Sequence, residues 1–187
     1  MTYMSRSVRQ YIGIILAIAI YYIIHEGAHL LVALYYGVFK QINFMGLGVQ
    51  VDVYHTQMTD VQIGIFCLAG AITTLICSWF LILFCKSICS TKSKIFRSIA
   101  WYTSLVMLLL DPLYLSVLYG FFGGGDMNGI SLLLEEWVAR GLFAGIGVIH
   151  ALVIFWYLLP KYTNSFADED DGQITFSKRD KQNENFV

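Results

Sequence analysis

The sequence predicts an all-α polytopic membrane protein, with about four transmembrane helices and a short membrane-dipping β-hairpin after the first. Hydrophobic residues make up 57% of the 187 residues and charged residues only 13%, whereas a soluble domain carries about 25% charged residues. A membrane-spanning helix needs about 20 mostly apolar residues. Four stretches meet this length, at about residues 11–39, 61–85, 98–122 and 141–159.

Prolines and glycines divide the later stretches. Asp111-Pro112 should break the third helix, because proline removes a backbone donor and kinks a helix. Pro160 should end the fourth helix. The glycine-rich segment 123–126 separates the third and fourth stretches, and glycine lets the backbone adopt conformations closed to other residues. This segment can therefore fold back toward the first helix.

The basic residues orient the four stretches. Two arginines precede the first stretch, four cations lie in the 86–97 loop, and four follow the fourth stretch. The two remaining loops carry one cation each, Lys40 and Arg140. Lys and Arg are enriched in cytoplasmic loops, so both termini are expected in the cytoplasm. The expected location is a bacterial cytoplasmic membrane.

Residues 38–55, between the first two stretches, read as a β-hairpin. The segment alternates in part between apolar and polar residues, is rich in β-branched residues, and has Gly46 and Gly48 near its turn. Its apolar content favours a position dipping into the membrane, where non-helical backbone survives only against protein or a wet cavity. An ordinary loop outside the membrane remains the alternative.

The chain divides into a membrane-embedded domain, residues 1–162, and a tail, residues 163–187. The tail is polar and charged with few apolar residues, which predicts a disordered cytoplasmic segment. Its acidic run at 168–171 is interpreted as a solvated stretch. No basic patch with interleaved aromatic residues indicates a nucleic-acid partner. Because four apolar stretches are long enough to cross a membrane, the first expected partner is the lipid bilayer.

The first stretch contains an H-E-x-x-H motif made by His25, Glu26 and His29. Residues four apart lie on one face of a helix, so both imidazoles can approach one ion. Glu26 lies about 100° further round the helix and can reach a water on that ion. In this motif the histidines hold Zn²⁺ and the glutamate takes a proton from the water. Ionisable residues inside a membrane span are costly and mark functional sites.

A catalytic zinc needs a third protein ligand and keeps a fourth position open. Asp126, in the glycine-rich break, and Asp111, at a matching depth in the third stretch, are the main candidates. Asp111 could instead be a carboxylate satisfied within the helical bundle. His55 and His150 are further candidates, although a lone histidine in a span is more often a hydrogen-bonded packing residue. The residues alone leave this choice open.

Three motifs resemble the site-2 protease family of intramembrane zinc metalloproteases, over about residues 15–130. HEGAHLLVALYYGV is similar to its H-E-x-G-H-x-x-x-A-x-x-x-G-V stretch, and KQINFMGLGVQV takes the place of its membrane-dipping β segment. FCLAGAITTLICSWFLI resembles its A-G-P-x-x-N helix, with Ala71 in place of the proline and Thr74 in place of the asparagine. GGDMNG resembles the segment that carries its aspartate ligand, but the usual N-P-x-x-P before it is absent.

The resemblance implies a small family member without a PDZ domain. It implies Zn²⁺ held by His25, His29 and Asp126, which selects Asp126 over Asp111. Glu26 would be the catalytic residue, and Asn128 is a candidate for orienting the substrate backbone or the oxyanion. The expected activity is hydrolysis of peptide bonds in transmembrane segments or hydrophobic peptides. The altered motifs leave a second hypothesis, a non-proteolytic membrane metal-binding protein or an accessory subunit of a transporter.

A rival motif lies at the start of the fourth stretch. EEWVARGLF resembles the E-E-x-x-x-R of the CAAX-type membrane protease family through Glu135, Glu136 and Arg140. That family needs further histidine and asparagine positions, and only one apolar stretch with a single histidine follows. The favoured interpretation is an i,i+4 ion pair between Glu136 and Arg140. Gly141 and Gly145 form a G-x-x-x-G that could pack helices closely, in a homo-oligomer or against a membrane partner.

Overall fold

Four long helices dominate the computed structural model, which describes residues 5–45, 48–122 and 125–167. Two five-residue π-helical segments, Tyr114–Leu118 and Ile154–Leu158, extend the third and fourth of these helices, which run continuously over Lys94–Phe121 and Glu136–Ala167. In chain order the elements are α1 (Arg6–Tyr35), β1 (Phe39–Met45), β2 (Gly48–Val53), α2 (Asp60–Leu83), α3 (Cys85–Cys89), α4 (Lys94–Leu113), α5 (Tyr119–Phe122), α6 (Gly125–Ile130) and α7 (Glu136–Val153).

The mostly helical architecture confirms the coarse prediction from the sequence. Four helices in the described part of the chain are long and apolar enough to cross a membrane, with 30, 24, 28 and 32 residues. The minimum for a span is about 20 residues. Helix α1 packs against α2 and α4, α2 packs against α6, and α4 packs against α7.

Side-chain caps set where three of the helices begin. Ser5 accepts a hydrogen bond from the Val8 N–H at the start of α1, and Ser93 accepts one from the Phe96 N–H at the start of α4. Thr59 and Gln62 form a reciprocal capping box at the start of α2. Helices α1 and α4 therefore begin five and four residues before the apolar stretches, because the caps and not the hydropathy fix their first turns.

Helix α1 ends at Tyr35, earlier than the predicted limit at residue 39. Gly37 adopts a φ of 70°, a left-handed conformation that glycine takes without steric cost. The Gly37 N–H donates to the Leu34 carbonyl, and the Val38 N–H donates to the Ala33 carbonyl. These bonds satisfy carbonyls at the helix end and turn the chain into β1.

The predicted hairpin is present. Strands β1 and β2 pair antiparallel, with Ile42 opposite Val51. Lys40 lies 2.9 Å from the Asp52 carboxylate, and this hydrogen bond lowers the pKa of Asp52. Val51 and Val53 of β2 are buried and the strand contacts α1. Of the two predicted turn glycines, Gly48 opens β2 and Gly46 lies outside the described residues.

The prolines do not interrupt their helices, so the predicted break at Pro112 and stop at Pro160 are both wrong. Proline removes the hydrogen bond to the carbonyl four residues before it, which is Leu108 for Pro112. The His150 Nδ1–H donates to that Leu108 carbonyl at 2.8 Å. Before Pro160, the Leu159 N–H donates to the carbonyl of Ile154, five residues earlier. This π-helical turn changes the local pattern of backbone hydrogen bonds.

The fourth helix is also longer than predicted at its start, because it begins at Glu136. Its end covers residues 163–167 of the predicted tail, which are helical. Residues 168–187, including the acidic run 168–171, lie outside the described part of the chain.

The outer surface of the helices is strongly apolar. Large side chains such as Leu31 and Trp156 are each 71% exposed. Soluble monomers rarely expose large contiguous apolar patches. Inside, one buried cluster joins β2, α2, α6 and α7, and a second joins α3, α4 and the end of the fourth helix.

Candidate metal centre

Helix α1 brings His25 and His29 together inside the bundle. The two side chains follow each other on one helix face, as their spacing of four requires. They are 7% and 3% exposed, and their Nε2 atoms lie 3.2 Å apart. Both imidazoles therefore present the same ring nitrogen to one point.

The opposite ring nitrogens have their own partners. The His29 Nδ1 lies 2.7 Å from the Phe66 carbonyl of α2. Because a carbonyl only accepts, Nδ1 carries the hydrogen, and the lone pair is left on Nε2. The His25 Nδ1 lies 3.3 Å from Oδ1 of Asp111 and 3.3 Å from the Tyr21 hydroxyl.

Asp126, on α6, reaches the two histidines from the other side. Its Oδ2 lies 3.3 Å from the His25 Nε2 and its Oδ1 lies 3.7 Å from the His29 Nε2. One ligand atom from each of the three residues lies within 4.8 Å of the others, so the group could hold a metal ion. In the described part of the chain this is the one such group of His, Cys, Asp and Glu side chains. The structure thus brings Asp126 to the Nε2 atoms and Asp111 to the opposite face of His25.

Gly70 lets the two imidazoles pack against the backbone of α2. A Cβ at this position would lie 2.6 Å from the Nε2 atoms of both His25 and His29, closer than a real Cβ approaches any atom. Only glycine permits this approach. Two imidazole nitrogens and a carboxylate oxygen are also the donors of many catalytic Zn²⁺ sites, so the donor set fits a metal ion.

Glu26 lies beside the cluster and is half-buried. Its Oε2 accepts a hydrogen bond of 2.9 Å from the Val51 N–H of β2. The hairpin therefore holds the Glu26 carboxylate in place.

A cavity of about 500 Å³ joins these groups. Strand β2 forms one wall of the cavity, and α4 with its π-helical extension forms another. Apart from the ionisable groups, most of the lining side chains are aromatic or apolar. The lining residues other than the histidines, Glu26 and the two aspartates are Tyr21, Tyr22, Gly48, Val49, Gln50, Val51, Phe66, Leu110, Tyr114, Leu118 and Gly125.

The other predicted site residues lie elsewhere. Asn128 is two residues beyond Asp126 on α6, which turns it about 200° round the helix; its exposed side chain accepts from the Tyr119 hydroxyl at 2.7 Å. The structure does not bring Asn128 to the cavity. His55 is exposed on a short 3₁₀ turn, and His150 is bonded to the Leu108 carbonyl.

The rival motif forms a separate surface pair. Arg140 Nη1 lies 3.2 Å from the Glu136 carboxylate, and both side chains are well exposed. The Arg140 Nε also donates to the Ser116 carbonyl at 2.9 Å, within the π-helical segment after α4. Glu135 immediately precedes α7. The first contact agrees with the favoured interpretation of an i,i+4 pair, and the second ties α7 to the π-helical segment after α4.

Sequence reasoning missed two residues beside the cluster, Tyr21 and Gly70. Tyr21 precedes His25 by four residues, so its place on the same helix face was available from spacing. Gly70 belongs to the A-G pair of FCLAGAITTLICSWFLI. The need for glycine there comes from two imidazoles of another helix, and that approach is known only from the fold.

No protein-family model, no curated protein and no solved structure matches this chain.

Proposed function

We propose that the protein is a membrane-embedded zinc metalloprotease that hydrolyses peptide bonds of transmembrane segments or hydrophobic peptides. The observation that carries the proposal is the cluster of His25, His29 and Asp126 in one cavity with Glu26. A His₂–carboxylate donor set with a neighbouring glutamate is the arrangement of hydrolytic zinc enzymes. The resemblance of the three sequence motifs to the site-2 protease family supports the same activity.

The membrane location is supported by the four long apolar helices and their exposed apolar side chains. The cations flank the helices in the pattern expected when both termini are cytoplasmic. In lipid, the cost of two histidines and three carboxylates would be large unless they faced one another or water. The cavity gives these groups such a place.

Within the site, each residue has a distinct task. His25, His29 and Asp126 would hold the metal, which when bound supplies a Lewis acid for the scissile carbonyl and makes water a better nucleophile. Glu26 takes the proton from the attacking water and then delivers it to the leaving amine. The Val51 N–H keeps the Glu26 carboxylate aimed along the cavity.

Strand β2 is suited to hold the substrate. A helical peptide hides its carbonyl groups in its own hydrogen bonds, so the substrate must be extended to react. An extended peptide can add to a strand edge, and residues 48–51 of β2 line the cavity. Aromatic and apolar side chains from α1 and α4 would receive apolar substrate residues.

The second hypothesis, a non-proteolytic metal-binding protein or transporter subunit, does not account for Glu26. A structural metal scaffold requires its ligands but not a further carboxylate beside them. A half-buried glutamate held in the cavity by the hairpin favours hydrolysis.

The test compares the wild type with Glu26→Gln in detergent or lipid nanodiscs, on a panel of hydrophobic and transmembrane peptides. Both proteins should bind one zinc per chain, and Glu26→Gln should cleave about 10²–10⁴-fold more slowly, the usual contribution of a positioned acid–base group. Glu136→Gln, an exposed glutamate outside the cavity, is the matched control and should cleave like the wild type. A zinc-loaded wild type that cuts no peptide, or a Glu26→Gln variant with normal cleavage, would contradict the proposal.

A further inference from the structure

Asp111 is a buried carboxylate that the metal cluster does not use. It is 1% exposed on α4, and an unpaired carboxylate in an apolar bundle would be very costly. Its donors come from two other helices. Tyr21 and His25 approach from α1, and Thr74 approaches from α2.

The contact with His25 is on the side of the ring away from the cluster. Asp111 Oδ1 lies 3.3 Å from the His25 Nδ1, whereas the His25 Nε2 faces His29 and Asp126. An ionised carboxylate only accepts hydrogen bonds, so Nδ1 carries the ring hydrogen. The Nε2 lone pair is then directed at the point shared with the other two ligands.

Both carboxylate oxygens of Asp111 accept hydrogen bonds from hydroxyl groups. The Tyr21 hydroxyl donates to Oδ1 at 2.5 Å, and the Thr74 hydroxyl donates to Oδ2. The Tyr21 ring also stacks on the His25 ring, with centroids 5.3 Å apart. Neither the carboxylate nor the imidazole can turn without breaking these contacts.

The two histidines differ in the partner of their Nδ1 atoms. His29 has a neutral backbone carbonyl as its Nδ1 partner, while His25 has an anion. A carboxylate partner fixes the orientation of a ligating histidine and raises its basicity.

We propose that Asp111 is the positioning residue of this site: together with Tyr21 it orients His25 so that its Nε2 binds a divalent metal ion. The inference depends on the metal centre of the proposed function, but not on proteolysis. Asp111 is thereby a partner of a ligand and not the third ligand.

The test is titration of the metal-free protein with Co²⁺, followed by the d–d absorption bands and by competition with a chelator. Asp111→Asn keeps the shape of the side chain but removes its charge. We expect its Co²⁺ affinity to fall about 10–100-fold, the usual effect of losing such a partner, with altered d–d bands. Tyr21→Phe retains Asp111 but removes one of its donors, so we expect a smaller fall in the same direction.

The matched control is Ser104→Ala, which removes a buried hydroxyl of the same helix that bonds to the Ala100 carbonyl and does not line the cavity. It should bind Co²⁺ like the wild type. If Asp111 only stabilised the bundle, Asp111→Asn would lower the thermal midpoint of the metal-free protein but leave the affinity and bands of the folded fraction unchanged. That result would overturn the inference.

If Asp111→Asn does not fold, Tyr21→Phe tests the role of Asp111 instead. A Tyr21→Phe variant with the Co²⁺ affinity and d–d bands of the wild type would also overturn the inference. The outcomes separate the two proposals. Weakened Co²⁺ binding by both variants, in a protein that cuts no peptide, would sustain the role of Asp111 and reject the protease.

Discussion

At the scale of single residues, the missing side chain of Gly70 lets both imidazoles of the metal cluster lie against α2. A Cβ at this position would lie 2.6 Å from the Nε2 atom of each imidazole. The surrounding helices fix these rings through bonds to Phe66 and Asp111, so the rings cannot retreat without losing those bonds.

Gly70→Ala should therefore impair metal binding without unfolding the helix. The added methyl group would displace the imidazoles, and we expect at least about a tenfold loss of Zn²⁺ affinity, by the sensitivity of metal sites to ligand orientation. Isothermal titration of the metal-free protein measures the loss.

Gly145→Ala is the control, because a Cβ there meets no atom within 4 Å. It should bind Zn²⁺ normally and gain up to about 1 kcal/mol of helix stability. Wild-type Zn²⁺ affinity in Gly70→Ala would show that the close approach at Gly70 does not set the position of the two imidazoles.

The spacing of His25, Glu26 and His29 was sufficient to predict their common helix face, because a helix has a fixed period. Asp126 required the resemblance of its segment to a known motif. The contact of Asp111 with Tyr21 joins residues 90 positions apart, and no local pattern encodes such a pairing. Asn128 lies away from the cavity because two residues along a short helix nearly reverse the direction of a side chain.

At the scale of the elements, α7 supports the backbone of the helix that carries Asp111. His150 donates to the carbonyl that Pro112 leaves without a helical partner, and Arg140 donates to the Ser116 carbonyl in the π-helical segment. Sequence analysis expected Pro112 to break the helix. The expectation failed because the compensating donor comes from a helix that lies next to it only in the fold.

His150→Leu should destabilise the protein by about 1–3 kcal/mol, the cost of leaving a buried carbonyl unsatisfied. In a Pro112→Ala background, the new backbone N–H can bond to Leu108, so the same substitution should lose most of its effect. Reversible unfolding in mixed micelles measures this double-mutant cycle.

His55→Leu is the control for the loss of a histidine, because that side chain is exposed, and it should change stability by less than about 0.5 kcal/mol. An equal cost of His150→Leu in both backgrounds would mean that His150 does not compensate for the proline.

At the scale of the whole molecule, three of the four apolar helices line the cavity of the metal cluster, together with α6 and strand β2 of the hairpin. The number of long helices and the hairpin followed from composition, length and residue alternation. The helix bounds did not follow from these patterns. They differ by several residues because of the caps at Ser5 and Ser93, the turn at Gly37 and the π-helical turn before Pro160.

The orientation of this bundle can be measured with single cysteines in a background that lacks the four native ones. His55→Cys follows the hairpin and Ser90→Cys lies in the basic loop after α3; both positions are exposed. A membrane-impermeant thiol reagent added to intact cells should label His55→Cys and spare Ser90→Cys, because the enrichment of Lys and Arg in cytoplasmic loops predicts a cytoplasmic position for the second loop.

Inverted vesicles should give the opposite pattern. Labelling of Ser90→Cys from outside intact cells would reverse the orientation, and labelling of both from one side would reject the four-span arrangement.

We propose that α1 and α6 together build one metal centre beside Glu26. Anomalous diffraction at the zinc edge from crystals of the zinc-loaded protein tests this arrangement. We expect one peak at about 2.0–2.2 Å from the Nε2 atoms of His25 and His29 and from a carboxylate oxygen of Asp126. A peak bound by Asp111 in place of Asp126, or no peak beside the two histidines, would contradict the account.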